Sequence, residues 1–148
     1  MSFTKQLFEK YPALFYVDEQ GQNTTPSYMV DCPPGWENVV DELCGCIVDY
    51  TTRCYRLALN EATGKYEKQY APGVKIDQIK SKFAGLRFYY TGGDKEVAGM
   101  VRLAEHMCSN LCENTGQPGK MCVRNGWYTT LCEDEMKRLG AILVEGGI

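Results

Sequence analysis

The chain has 148 residues, of which 44% are hydrophobic and 24% charged, and its formal net charge is −3. This length and composition are typical of one globular domain with its own core. The negative charge argues against a general nucleic-acid binder, which usually carries a basic total. The sequence has no run of about 18 apolar residues that could span a membrane. Its first ten residues lack the apolar region of a signal peptide, so we expect a cytosolic protein.

The first predicted elements are helical. A short helix is expected within residues 2–16, followed by a polar loop over 18–34. Apolar side chains spaced by 3.6 residues then predict a long helix over 36–58. The stretch from 64 to 73 is predicted as a loop, with a short strand at 66–70 as the alternative.

The second half alternates strands and helices. Residues 77–90 have the alternating pattern of a β-hairpin, and Asp94 is a suitable N-cap for a second long helix ending near Leu111. The remaining predicted elements are a loop over 114–125, a strand over 127–131, a short helix over 133–139 and a loose tail at 146–148.

These elements predict a single α+β domain over residues 1–148. Its small antiparallel sheet, the hairpin at about 76–91, is expected to pack against the helices near 36–58 and 94–111. The parts would be an N-terminal helix and loop over 1–34, a core over 35–111, and a knuckle-like segment with a short helix over 112–140.

The hairpin is the most informative segment. A two-residue turn at Ala84-Gly85 would place Phe83 opposite Leu86 and Lys82 opposite Arg87. Side chains of a strand alternate between its faces, so the pattern predicts one apolar and one cationic face. The apolar face would hold Ile79, Ser81, Phe83, Leu86, Phe88 and Tyr90, and the cationic face Lys80, Lys82, Arg87 and Tyr89.

Like charges directly opposite each other destabilise a sheet, and a bound anion would turn that repulsion into a binding site. Arg offers a planar fork for phosphate and Lys a point charge, while Tyr provides a hydroxyl or a stacking ring. The backbone N–H groups of Gly92 and Gly93 are further candidates for binding the same anion. The alternative is an ordinary solvated strand face whose long side chains spread their charges apart.

Eight cysteines in a reducing compartment are expected to be thiols or metal ligands rather than disulfides. A structural zinc site is typically built from two Cys-x₂-Cys knuckles. Here Thr115 and Glu135 stand where the second cysteine of each knuckle would be. We therefore predict no cofactor, with zinc as the alternative. Its candidate ligands are Cys108, Cys112, Cys122 and Cys132.

Three short motifs lie within residues 35–135. They are Gly35-Trp36 with Asp41-Glu42-Leu43-Cys44, then Gln78-Ile79-Lys80-x-Lys82-Phe83-x-Gly85-Leu86-Arg87-Phe88-Tyr89 with Gly92-Gly93-Asp94, and finally Cys112-Glu113-x-x-Gly116-x-Pro118-Gly119 with Gly126-Trp127-x-x-Thr130-Leu131-Cys132. In this combination the chain resembles a family of small phage and prophage proteins. The resemblance implies a phage origin and a four-cysteine zinc knuckle, from which this chain departs at Thr115 and Glu135, but no settled activity.

Enzymatic motifs are absent from the sequence. Its only histidine, His106, falls on a predicted helix, and no Walker or Rossmann glycine pattern occurs. We predict a non-enzymatic binding protein of the host bacterial cytosol that sequesters a phosphorylated small ligand, such as a nucleotide signal, in counter-defence. The alternative is an accessory module with a decayed zinc ribbon that binds a host protein or nucleic acid through Lys120, Arg124 and Trp127. Homo-oligomers are compatible with both, and a membrane partner is not expected.

Overall fold

The computed structural model describes residues 1–144, so the predicted tail at 146–148 lies outside the described residues. Within that range the chain forms four α-helices and seven β-strands, which confirms the mixed α+β class. The helices are α1 (Phe3–Lys10), α2 (Glu37–Arg53), α3 (Lys95–Cys108) and α4 (Glu133–Leu139). The strands are β1 (Tyr55–Asn60), β2 (Lys65–Tyr70), β3 (Val74–Lys82), β4 (Gly85–Gly92), β5 (Lys120–Arg124), β6 (Trp127–Leu131) and β7 (Ile142–Leu143). No helix among the described residues is long and apolar enough to cross a membrane.

The N-terminal helix lies within residues 2–16, as the sequence predicts. Ser2 caps α1 by accepting a hydrogen bond from the N–H of Lys5, and α1 ends at Lys10, two residues before Pro12. Proline lacks the N–H that would continue the helical ladder, so the chain continues as a short 3₁₀ turn at Pro12–Leu14. Two further 3₁₀ turns, Ser27–Met29 and Pro34–Trp36, lie in and after the predicted polar loop.

The helix predicted over 36–58 ends at Arg53 instead. Residues 55–60 form β1, which pairs antiparallel with β2, so the loop prediction for 64–73 was wrong and its alternative at 66–70 was nearly right. Leu57 satisfies the helical period of α2, but Tyr55, Leu57 and Leu59 also alternate with period two. The second pattern prevails because Asn60 and Gly64 close a tight turn, with the Gly64 N–H donating to the Asn60 carbonyl oxygen.

One core unites α2 and α3 with the inner face of the β3–β4 hairpin. Five residues of the hairpin are buried in it together with apolar side chains of both helices, namely Val74, Ile76, Ile79, Leu86 and Phe88. The predicted packing of two helices on one hairpin is therefore present. It accounts for only part of the fold, because a separate β1–β2 sheet and a three-stranded sheet of order β6-β5-β7 stand beside it.

The turn between β3 and β4 differs from the predicted one. It consists of Phe83 and Ala84, both with positive φ, and Lys82 pairs with Gly85. Two positive φ values are what a type I′ hairpin turn requires. Ala84 is held there by tertiary contact, since its carbonyl oxygen accepts a hydrogen bond from the Thr130 hydroxyl at 2.9 Å. A contact with a strand 46 residues away is not visible in the local turn sequence.

The C-terminal segment forms a small unit with its own core of Cys112, Cys122 and Leu131. Residues 120–124, predicted as loop, form β5, the central strand of this sheet. The unit is joined to the main core through the backbone, where the Gly35 N–H donates to the Glu113 carbonyl oxygen at 2.7 Å. A Cβ at Gly35 would lie 1.9 Å from the Cys112 carbonyl oxygen, so only glycine permits this approach.

Candidate functional site

The cationic face is present although the predicted register was wrong. Lys80, not Lys82, lies directly opposite Arg87, and Gln78 lies opposite Tyr89. Each residue nevertheless keeps its predicted side of the hairpin because the turn moved by one residue on both strands at once. Phe83 is the exception, since it leaves the apolar face and joins the turn. The cationic face, defined as Lys80, Lys82, Arg87 and Tyr89, is therefore one surface of the protein.

The charges of this face are not neutralised within the described chain. None of the ion pairs among residues 1–144 includes Lys80, Lys82 or Arg87. Cβ atoms of directly opposed residues lie about 5 Å apart, so the Lys80 and Arg87 side chains start from adjacent points. Both are half-buried, whereas Lys82 and Tyr89 are exposed. Partial burial reduces the screening of the two opposed charges by water.

An aromatic cleft adjoins the cationic face where two hairpin turns meet. It has a volume of about 440 Å³ and is lined mainly by Lys80, Lys82, Phe83, Trp127 and Tyr128. The Phe83 and Tyr128 rings meet edge to face at 6.3 Å, and the Lys82 ammonium lies 5.6 Å from the centre of the Phe83 ring.

The aromatic rings of the cleft are unusually open to solvent. Trp127 is 78% exposed and Phe83 63% exposed. Rings of this size normally bury most of their surface, so their clustered exposure makes the cleft a candidate contact surface. Both rings stay outside the cores because they are carried by tight turns. Phe83 lies in the turn between β3 and β4, and Trp127 directly follows Asn125 and Gly126, which both have positive φ. The sequence pattern places Phe83 on the apolar face of the hairpin and therefore does not predict this cluster of exposed rings.

Gly92 and Gly93 are not part of this surface. Gly92 pairs with Val74 at the end of the hairpin remote from the turn, five residues beyond Arg87, which is about 17 Å along a strand. The Gly93 N–H already donates to the Gly73 carbonyl oxygen at 3.0 Å. These glycines shape the connection into α3, whose N-terminus is capped by Asp94.

The knuckle-like segment gathers the positions that would ligate zinc. The Thr115 hydroxyl donates to the Cys132 sulfur at 3.6 Å, and the Asn114 amide donates to Glu135 at 3.0 Å. Burial raises the pKa of the Cys112 thiol. Hydrogen bonding in this turn, from Thr115 and from the backbone N–H groups of Cys132 and Asn114, outweighs burial, so the pKa of this thiol lies below its ordinary value.

The donor set does not fit a structural zinc site. Such sites use four cysteines or histidines, whereas this turn offers two thiols, a hydroxyl and the carboxylate of Glu135, which is paired with Arg138 at 2.9 Å. The substitute candidates lie elsewhere, since Cys108 is buried in the main core and Cys122 in the C-terminal core. Within residues 1–144, no three Cys, His, Asp or Glu side chains are arranged so that they could hold one metal ion. All eight cysteines are thiols.

The three residues of the alternative nucleic-acid site, Lys120, Arg124 and Trp127, do not all lie together. Arg124 lies directly opposite Trp127 across β5 and β6, but Lys120 pairs with Leu131 at the other end of the same ladder. His106 is exposed in the last turn of α3.

Comparison of the chain with protein-family models, with characterised proteins and with solved structures finds no match.

Proposed function

We propose that this protein binds a phosphorylated small ligand with a nucleobase, holding the phosphate on the cationic face and the base in the aromatic cleft. The observation that carries the proposal is the contact of these two surfaces. Lys80 and Lys82 belong to both, so a ligand in the cleft lies within reach of the Lys80–Arg87 pair. A nucleotide has the two chemical parts, anion and flat ring, that such a surface recognises.

Binding would also relieve an unfavourable feature of the free protein. The opposed charges of Lys80 and Arg87 have no carboxylate partner in the described chain. A phosphate between them replaces repulsion with two charge-assisted interactions, each worth roughly 1.5–3 kcal/mol. The cleft supplies a second contribution, because stacking of a base on an aromatic side chain is worth about 1–3 kcal/mol.

The role we propose is capture rather than catalysis. The side chains that line the cleft are lysines, aromatic rings and Ser81, without a carboxylate or histidine to act as a general base. The resemblance to phage and prophage proteins leads us to propose that the captured ligand is a nucleotide signal of host defence. A protein that sequesters such a signal needs affinity and sufficient abundance, and no chemical step.

Isothermal titration calorimetry with adenosine triphosphate, tripolyphosphate and adenosine tests the proposal. We expect the nucleotide to bind more tightly than either part alone, and its affinity to fall as salt rises. Arg87→Gln is expected to weaken nucleotide binding by about tenfold or more. The matched control is Arg102→Gln, which removes the same charge from an exposed position on α3. Equal binding by both variants, or no binding of nucleoside triphosphates by the parent protein, would contradict the proposal.

Single-stranded nucleic acid is the second candidate ligand. The exposed Trp127 indole with Arg124 opposite it favours this class, because successive bases stack on such rings while cations follow the backbone. The two candidates differ in their dependence on ligand length. A mononucleotide binder gains little from added nucleotides, whereas a strand binder gains affinity up to about 4–16 nucleotides and depends steeply on salt. Titration with oligonucleotides of increasing length separates them.

A further inference from the structure

The β1–β2 hairpin is a ribbon of two strands that neither core includes. Within residues 1–144 it pairs with no third strand, and every residue of β2 and four of the six in β1 are exposed. An isolated two-stranded ribbon is only marginally stable in water. Its persistence in this fold therefore calls for additional contacts on one of its faces.

The two faces of this ribbon differ sharply. Cross-strand partners share a face, and the register pairs Tyr55 with Tyr70, Leu57 with Lys68 and Leu59 with Tyr66. The opposite face carries only polar residues and one alanine, in the pairs Arg56–Gln69, Ala58–Glu67 and Asn60–Lys65. We call the first of these the tyrosine face. Its five large apolar side chains are all substantially exposed, with Tyr66 at 69%.

We propose that the tyrosine face is the interface through which two copies of this chain form a dimer. Its exposed side chains present about 600 Å² per chain, so two copies would bury at most about 1,200 Å², the lower end for specific protein interfaces. A patch of this size is at the upper limit of the roughly 300–600 Å² that a typical monomer leaves uncovered, and such patches are often functional. This interface is separate from the cationic face and does not depend on the proposed ligand.

Self-association suits the charge pattern of this face. Lys68 carries its only charge, and the ammonium lies over the Tyr55 ring at 4.6 Å from its centre, leaving the aliphatic stem to cover its neighbours. A two-fold axis parallel to the strands places β1 of one copy over β2 of the other. Lys68 then meets Leu57 of the second copy rather than a second Lys68, so the face is complementary to itself.

Sedimentation equilibrium from about 1 to 300 µM measures the association, because interfaces at the low end of the size range are typical of weak and transient complexes. Leu59→Glu places a carboxylate against Tyr66 of the same ribbon and, across the two-fold axis, against Tyr66 of the second copy, while the Lys68 ammonium is turned away towards Tyr55. We expect it to weaken the dimer by at least about 30-fold, as loss of a hot spot does. The matched control, Ala58→Lys, adds a charge opposite Glu67 on the polar face, and we expect it to dimerise normally.

A second variant, Leu57→Thr with Leu59→Thr, keeps residues that favour strands and guards against loss of the ribbon itself. It too is expected to be monomeric. Hydrogen exchange gives an independent readout, with amides of residues 55–70 protected at high but not at low protein concentration. The proposal is overturned if the parent protein is monomeric throughout the range, if Leu59→Glu dimerises like the parent, or if Ala58→Lys disrupts the dimer equally.

Discussion

Phe88 and Tyr89 are adjacent in β4, and we predict opposite consequences of replacing each by alanine. Phe88 is 4% exposed and lies in the main core, with its ring 6.1 Å from that of Tyr90. Truncation of a buried Phe costs about 3–5 kcal/mol through lost burial and the cavity that remains. For a chain of this size, roughly 2–4 °C per kcal/mol gives a fall in Tm of about 6–20 °C.

Tyr89→Ala is the matched control, because Tyr89 is 44% exposed on the cationic face and makes no side-chain hydrogen bond within residues 1–144. We expect it to cost less than about 1 kcal/mol. Urea unfolding measures the free energy of unfolding of each variant, provided that its dependence on urea concentration has the same slope in both. If Tyr89→Ala destabilises the protein as much as Phe88→Ala, the assignment of faces in this hairpin is wrong and the cationic face with it.

Three further predictions concern α3 and the connection into it. Gly92→Ala should destabilise by at least about 2 kcal/mol, since φ is +89° and a Cβ would lie 2.1 Å from the Gly73 carbonyl oxygen. Gly99→Ala, in an open helical position of α3, should instead stabilise by about 0.5–1 kcal/mol in the same urea assay. The hydrogen bond from the Tyr50 hydroxyl lowers the pKa of Asp94, so the folded state favours the carboxylate and loses this stabilisation as pH falls through the lowered pKa. Asp94→Asn should flatten the decline of Tm with acidification below about pH 4, and an unchanged decline would contradict this role.

The sequence predicts those parts of the fold that depend on long periodic patterns. The core faces of α2, α3 and the β3–β4 hairpin follow from apolar spacing, and α4 has the predicted limits. The sequence offers β2 only as an alternative to a loop and does not predict β1, because Leu57 fits both a helical and an extended period. Only the turn at Asn60 and Gly64 decides between these two periods.

For the candidate site, the sequence predicts the cationic face but not the aromatic cleft beside it. Alternation along the strands is sufficient to place Lys80, Lys82 and Arg87 on one face, and this grouping survives the error in register. Proximity of Trp127 and Tyr128 to that face depends on how two hairpins pack, through the Thr130–Ala84 hydrogen bond. Because that contact joins distant parts of the chain, no local sequence pattern predicts it.

Nuclear magnetic resonance titration with adenosine triphosphate tests the central claim most directly, because the two indole N–H signals report on opposite environments. Trp36 is fully buried and donates its N–H to the Leu111 carbonyl oxygen at 2.8 Å, whereas Trp127 is exposed in the cleft. We predict that the Trp127 indole and the amides of Lys80 and Arg87 shift together with one dissociation constant, while the Trp36 indole stays in place. Shifts confined to other surfaces, or a spectrum unchanged by saturating nucleotide, would contradict the account.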